Sequence, residues 1–324
     1  MFNRRVLVKG MVATPAALAI GTHFGGVEAQ SSKIRVGSKD FPESITIGEM
    51  YALLLENAGF EVERKMNLGG TVIAHEALVN DELDVYPEYT GTGLLVVLKK
   101  TVEDAMGSAA TPSAAVPMAS PTANPAVDAV YTYVKSEYET QFGLTWLEQS
   151  RMNNSQALAV KKDFASENGL TTISQLAALS QSQEITISAP PDFEEREDGL
   201  LGLQSIYGLT ASVNGVAPGL KYQALIDGDA DVVLAFSTDA EIAINDLLVL
   251  EDDLALWPPY YVAPVVRRAI LEANPQIAAA LDALAPILTT EIMTELNRQV
   301  VGDEKMEPAD VAIQFLQQNG LIPA

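Results

Sequence analysis

The chain has 324 residues, 48% of them hydrophobic, with 20 Lys+Arg against 43 Asp+Glu and a formal net charge of −23. That excess of acid repels polyphosphate and anionic lipid, which excludes nucleic acid as a partner. There is no cysteine, which excludes disulfides, thiolate metal sites and a lipid-modified cysteine anchor, and there are only two histidines, His23 and His75.

Arg4, Arg5 and Lys9 precede an apolar run of about 11 residues, too short to span a bilayer. Val27-Glu28-Ala29 offers small residues to a peptidase, so residues 1–29 are expected to be a cleaved export signal. The arginine pair points to twin-arginine export, with a Sec signal as the alternative. Its removal takes away Arg4, Arg5, Lys9 and Glu28 and leaves 17 basic residues against 42 acidic ones. No later stretch runs to 18 uninterrupted apolar residues, and the length remaining is enough for a large core divided between two lobes.

Residues 33–37 alternate as a strand, and Ile47, Met50, Leu54 and Ala58 follow at helical spacing before Gly59. Glu61 to Arg64 alternates again. Gly69-Gly70-Thr71 opens a helix expected to turn Val72, Ala74, Leu78 and Val79 inward, and Asp84-Val85-Tyr86 reads as a short strand. This β-α-β-α-β order predicts an α/β fold with a mostly parallel sheet, whose ligands sit beyond the carboxyl ends of the strands; the segment 85–93 lies at such an end.

Residues 105–129 hold four prolines among Ala, Ser and Thr without periodicity, the pattern of a solvent-exposed, partly disordered loop. A second α/β set follows, with strands at 156–160, 184–188 and 231–236 and helices at 173–179, 198–207 and 222–226. Residues 274–318 read as helices with two proline breaks. Two similar α/β units imply a two-lobed binding protein with a cleft between the lobes, residues 33–152 with 256–324 forming one lobe and 153–255 the other.

Catalytic chemistry is hard to find. With His23 in the signal, His75 is the single imidazole left, so a histidine metal cluster is excluded, and its helical setting favours a structural role. There is no Walker A loop, no G-x-S-x-G elbow and no S-x-x-K pair. Gly91-Thr92-Gly93 lacks the third glycine of a dinucleotide loop. Glu194-Glu195 and Asp252-Asp253 are adjacent acids that point apart, and a hydrolase built on two carboxylates stays as an alternative with no pair singled out.

Four stretches in order, VGSKDFPESITIGEMYALLLENAGFEVERK, LGGTVIAHEALVNDELDVYPEYTGTG, PDFEEREDGLLGLQSIYGL and WPPYYVAPVVR, resemble the substrate-binding proteins of osmoprotectant ABC importers, the OpuAC-like glycine betaine/carnitine/choline family. The resemblance runs from about Lys33 to the C-terminus, interrupted by 105–129. It implies a type II periplasmic binding protein fold, each lobe a mostly parallel sheet with flanking helices. It also implies an exported monomer that needs no cofactor, catalyses nothing, and delivers a quaternary ammonium ligand from the periplasm to a membrane permease. A trimethylammonium group has no N–H, so ring faces must hold it. The resemblance places that aromatic box at Tyr89, Phe236, Tyr260 and the position held by Gln156, and the carboxylate-binding groups at Lys39, Arg196 and Thr92.

Gln156 departs from the family's usual aromatic residue, which keeps open a different small zwitterion, such as an amino acid. Phe236 stands where tyrosine is common. Other readings of single residues stay open: Thr92 as a helix cap, Arg196 as a surface ion pair, Lys39 as a solvated lysine, and Tyr261 or Trp257 facing the cleft in place of Tyr260. Tyr86, Tyr207 and Tyr222 are expected in the core. Gly91 and Gly93 are expected to let backbone approach a ligand, and Glu88 either faces solvent or holds the loop.

Overall fold

The computed structural model describes residues 33–108 and 125–324, so the expected export signal and the interior of the proline-rich segment lie outside the described residues. Ten strands form two five-stranded sheets. β1 (Ile34–Gly37), β2 (Val62–Lys65), β3 (Val85–Tyr89), β4 (Leu144–Trp146) and β10 (Val262–Arg267) make the first, in the order β2-β1-β3-β10-β4. β5 (Gln156–Lys161), β6 (Thr186–Ala189), β7 (Ser212–Gly215), β8 (Val232–Phe236) and β9 (Leu247–Leu250) make the second, in the order β7-β6-β8-β5-β9.

The two sheets share one plan. In each, four strands run the same way and one runs against them: β10 pairs antiparallel with β3 and β4, and β5 pairs antiparallel with β8 and β9. β5 is the strand by which the chain enters the second sheet and β10 the one by which it returns to the first, so the reversed strand of each sheet adjoins the crossing.

Local sequence explains most of the elements. Helix Pro42–Asn57 has proline in its first turn, where the missing N–H costs nothing, and buries Ile47, Met50 and Leu54. It ends at exposed Ala58, with Gly59 at φ +90, a conformation glycine adopts without strain. The C-terminal helix Pro308–Gln318 packs along it, which returns the end of the chain to the first sheet's side.

Several expectations need correction. In helix Thr71–Val79, Ala74 and Leu78 are fully buried, whereas Val72 is 64% and Val79 39% exposed. Val72 and Ala74 lie about 200° apart at 100° per residue and cannot share one face. The proline-rich segment is helical at both ends: Val102–Ser108 starts from a reciprocal Thr101–Asp104 cap, and Pro125–Phe142 opens on Pro125. Ala105, expected in an exposed loop, is buried. β3 runs on to Tyr89, past the expected end at Tyr86, because β10 pairs with it as far as Val262↔Tyr89.

Candidate functional site

The carboxyl ends of the parallel strands and the amino ends of β5 and β10 converge on one cleft of about 1050 Å³. Lys39 follows β1, Tyr89 ends β3, Phe236 ends β8, Gln156 opens β5, and Tyr260 precedes β10. Thr92 and Arg196 line the same space, so all seven residues expected at a site from the sequence border one cavity.

Most of their polar atoms are already engaged with the protein. The Lys39 ammonium donates to Glu88 at 2.6 Å and to Thr71 at 3.0 Å and stands 5.2 Å from the Tyr89 ring centroid. Burial pulls the Lys39 pKa below its ordinary value, with the Glu88 carboxylate opposing the shift. Glu88 is fully buried, so it does not face solvent; it accepts from the Tyr86 hydroxyl and from the Tyr89 backbone N–H, each at 2.7 Å, and fixes both the Lys39 charge and the backbone at the end of β3. Arg196 grips Asp198 with two hydrogen bonds, 2.7 Å from Nε and 2.8 Å from Nη2. Asp198 in turn accepts from Gln156 at 2.5 Å and from the Tyr260 hydroxyl at 3.1 Å.

Glu43 was not singled out by the sequence. It sits in the first turn of helix Pro42–Asn57, where a carboxylate is favoured by the helix dipole. Tyr89 Oη at 2.8 Å and Asn154 Nδ2 at 2.6 Å donate to its Oε1; Thr238 Oγ1 at 2.5 Å and Asn297 Nδ2 at 3.0 Å donate to its Oε2. These donors come from both sides of the cleft, so Glu43 ties the first sheet to the loops flanking β5 and β8. Burial pushes its pKa up, and the hydrogen bonds from Thr238, Asn297 and Tyr89 work against that rise. Among the described residues it has no cationic partner.

The aromatic lining is wider than the sequence reading. Phe41 lies 6.1 Å from Tyr89 and 6.5 Å from Phe236 between ring centroids, nearly parallel to the latter at 10°. It bridges two rings that the sequence assigned to the box, yet nothing in KDFPES marks it as more than the residue before a helix. Tyr222 is buried in the second-sheet core as expected and also borders the cleft, where its hydroxyl donates to Asp239 at 2.7 Å. Tyr86 is buried in the core below. Of the three adjacent candidates, Tyr260 borders the cleft, while Trp257 is turned inward with its indole N–H on the Asp198 carbonyl at 2.8 Å. Tyr261 follows on the other side of the extended chain, where its amide donates to Thr90 Oγ1 at 3.0 Å.

Gly91 and Gly93 serve rings of the protein. A Cβ on Gly91 would lie 2.7 Å from the Tyr260 ring, and one on Gly93 would lie 2.8 Å from Trp146. Close ring packing, not ligand approach, therefore demands these glycines. Thr92 has helical backbone angles and makes no capping hydrogen bond, so it is no helix cap, and its side chain borders the cleft. His75 is buried beside Tyr138 and Phe142 in the first-sheet core, and burial lowers its pKa, as fits a structural imidazole.

Comparison with known proteins gives this geometry a context. Residues 32–318 match the OpuAC family model, described as the substrate binding domain of ABC-type glycine betaine transport system. The chain is 31% identical over 315 residues to a glycine-betaine-binding protein of Pseudomonas aeruginosa, covering 94% of each chain. It is 32% identical over 289 residues to the ergothioneine transport permease/ergothioneine binding protein EgtU of Helicobacter pylori, covering 88% of this chain and 47% of that one, so it spans about half that relative's length. A solved structure titled glycine betaine/carnitine/choline ABC transporter superposes with a TM-score of 0.63 at 27% identity, covering 89% of this chain and 99% of the other. The two-lobed α/β fold is thus shared with solved proteins of this kind.

Proposed function

The chain belongs to the OpuAC family of substrate-binding domains, and on that premise we propose that it captures a small quaternary ammonium compound outside the cytoplasm and hands it to an ABC permease. The observation that carries this reading is the ring-lined cleft. Phe41, Tyr89, Tyr222, Phe236 and Tyr260 reach one cavity from both sheets and offer the π faces that a cation without N–H requires.

In this reading residues 33–152 with 256–324 form one lobe and 153–255 the other, and the ligand is trapped as they close. Tyr89, Tyr260 and Phe236 hold the cationic end; Arg196, Thr92 and Gln156 face the rest of the ligand. Lys39 supports the wall through Glu88 more than it reaches the ligand. The chain binds without chemistry, as a monomer and with no cofactor.

A second reading has a specific observation behind it. Gln156 supplies a hydrogen-bonding amide where the family usually carries a ring, and its Oε1 has no partner among the described residues. A zwitterion with its own N–H or O–H donors, such as an amino acid, suits that wall. Calorimetric titration with glycine betaine, proline betaine, choline, carnitine and an amino-acid panel tests both readings. Saturable binding of a quaternary compound supports the first; binding of amino acids alone transfers the assignment to the second.

A further inference from the structure

We propose that Lys221 sets the ligand class of this cleft: it favours zwitterions, which carry an anion beside their cationic nitrogen, and disfavours simple cations such as choline. The proposal rests on the reading of the cleft as a quaternary ammonium site.

Lys221 begins helix Lys221–Asp227 and is only 5% exposed, unusual burial for a lysine, yet it borders the cleft. Its ammonium stands 4.3 Å from the centroid of Phe236 and 5.0 Å from that of Tyr222. Asp239 Oδ2 fixes it there at 2.8 Å. That oxygen is itself anchored, accepting from the Tyr222 hydroxyl at 2.7 Å and from the Phe236 backbone N–H at 3.0 Å. One carboxylate oxygen thus binds the lysine, one of its rings and the backbone of the other into a rigid unit.

The consequence follows from charge. Phe236, a ring offered to the ligand's cation, already carries a cation of the protein, much as Tyr89 carries Lys39. A ligand nitrogen entering between these rings meets positive charge held in the cleft wall by buried lysines. A betaine offsets that meeting by presenting its carboxylate to Lys221, whose ammonium has three donors and a single acidic partner. Choline has only a hydroxyl to offer. Asp239 neutralises Lys221 overall, but through one oxygen that also accepts from the Tyr222 hydroxyl and the Phe236 N–H, so the other ammonium hydrogens stay free of it. Glu241 also borders the cleft, close enough to feel the charges of both Asp239 and Lys221, but Asp239 is the carboxylate that holds the ammonium by a hydrogen bond.

The test is calorimetric titration of the wild type, Lys221→Gln and Lys221→Arg with glycine betaine and, separately, with choline, folding being checked by thermal melting. The wild type should prefer betaine, Lys221→Arg should keep that preference, and Lys221→Gln should shrink the betaine-to-choline affinity ratio on the order of tenfold. An equal change for both ligands in Lys221→Gln overturns the proposal. Should Lys221→Gln fail to fold, Asp239→Asn replaces it: the ammonium then stands uncompensated, the ratio should widen, and an unchanged or narrowed ratio counts against the proposal. A wild type that binds choline as tightly as betaine removes this proposal alone, whereas one that binds neither compound removes the quaternary ammonium reading with it.

Discussion

The Tyr89 hydroxyl donates to Glu43 Oε1 at 2.8 Å, so a ring of the cleft wall is fastened to the carboxylate that joins the two sides of the cleft. The position of that ring is therefore coupled to the relative placement of the two sheets, and substitutions here separate ring from hydrogen bond. Tyr89→Ala removes the π face and should weaken glycine betaine binding by about 1–2 kcal/mol. Tyr89→Phe keeps the face and should lose less. Calorimetric dissociation constants of the two variants check the order.

Glu43 also makes a prediction about pH. Burial raises its pKa above the ordinary 4.5, so the folded protein holds this proton more tightly than the unfolded chain. By linkage its contribution to stability is fullest below pH 4.5 and declines as pH rises through the raised folded value. Glu43→Gln cannot titrate. The melting temperature of the wild type minus that of Glu43→Gln should therefore fall as pH rises from 4.5 toward neutrality. A difference that stays flat or grows would show that the proton is not held as described.

Gly91 supplies a steric test. A methyl at this position would lie 2.7 Å from two Tyr260 ring atoms, closer than real Cβ contacts come. The ring cannot flex away without losing its hydrogen bonds to Asp198 and Gln156. Gly91→Ala should cost about 1–3 kcal/mol of stability, the usual range for overpacking, and weaken ligand binding as well. Paired melting and titration curves check both parts.

Gln156 is the place to restore a ring. Gln156→Tyr adds a π face to the cleft while its hydroxyl takes over the donation to Asp198, and it should tighten glycine betaine by up to about 1 kcal/mol. A loss of affinity instead would show that the amide, with its unpartnered Oε1, is the ligand's own contact and would favour a donor-bearing zwitterion.

How much of this was readable in the sequence depended on whether the determinant was local. Helix Ile173–Leu179 was predicted at its observed bounds, and its start is set locally by a capping box between Thr172 and Gln175, three residues apart. Five of the seven candidate site residues reach the cavity from strand ends, and Thr92 and Arg196 from the helical turns that follow β3 and β6, each within a recognisable motif. What escaped notice was relational. Phe41 reads as a residue before a proline, and Lys221 as the solvated start of a short helix. Glu43 reads as an ordinary first-turn acid, although its partners Asn154, Thr238 and Asn297 lie 111, 195 and 254 positions away. Burial of a charge is set by such distant partners, and no window of sequence contains them. The exposed Val72 was misjudged for the opposite reason: its apolar side chain suits a core, but helical spacing sets it away from Ala74's face, at the rim of the cleft.

The most direct measurement is a crystal structure of the protein grown with glycine betaine. The account predicts the ligand between the two sheets, its nitrogen within about 6 Å of the Tyr89 and Phe236 ring centroids and its carboxylate toward Lys221 and Arg196. Ligand bound outside the cleft, or seated in it with the nitrogen away from every ring, would contradict it.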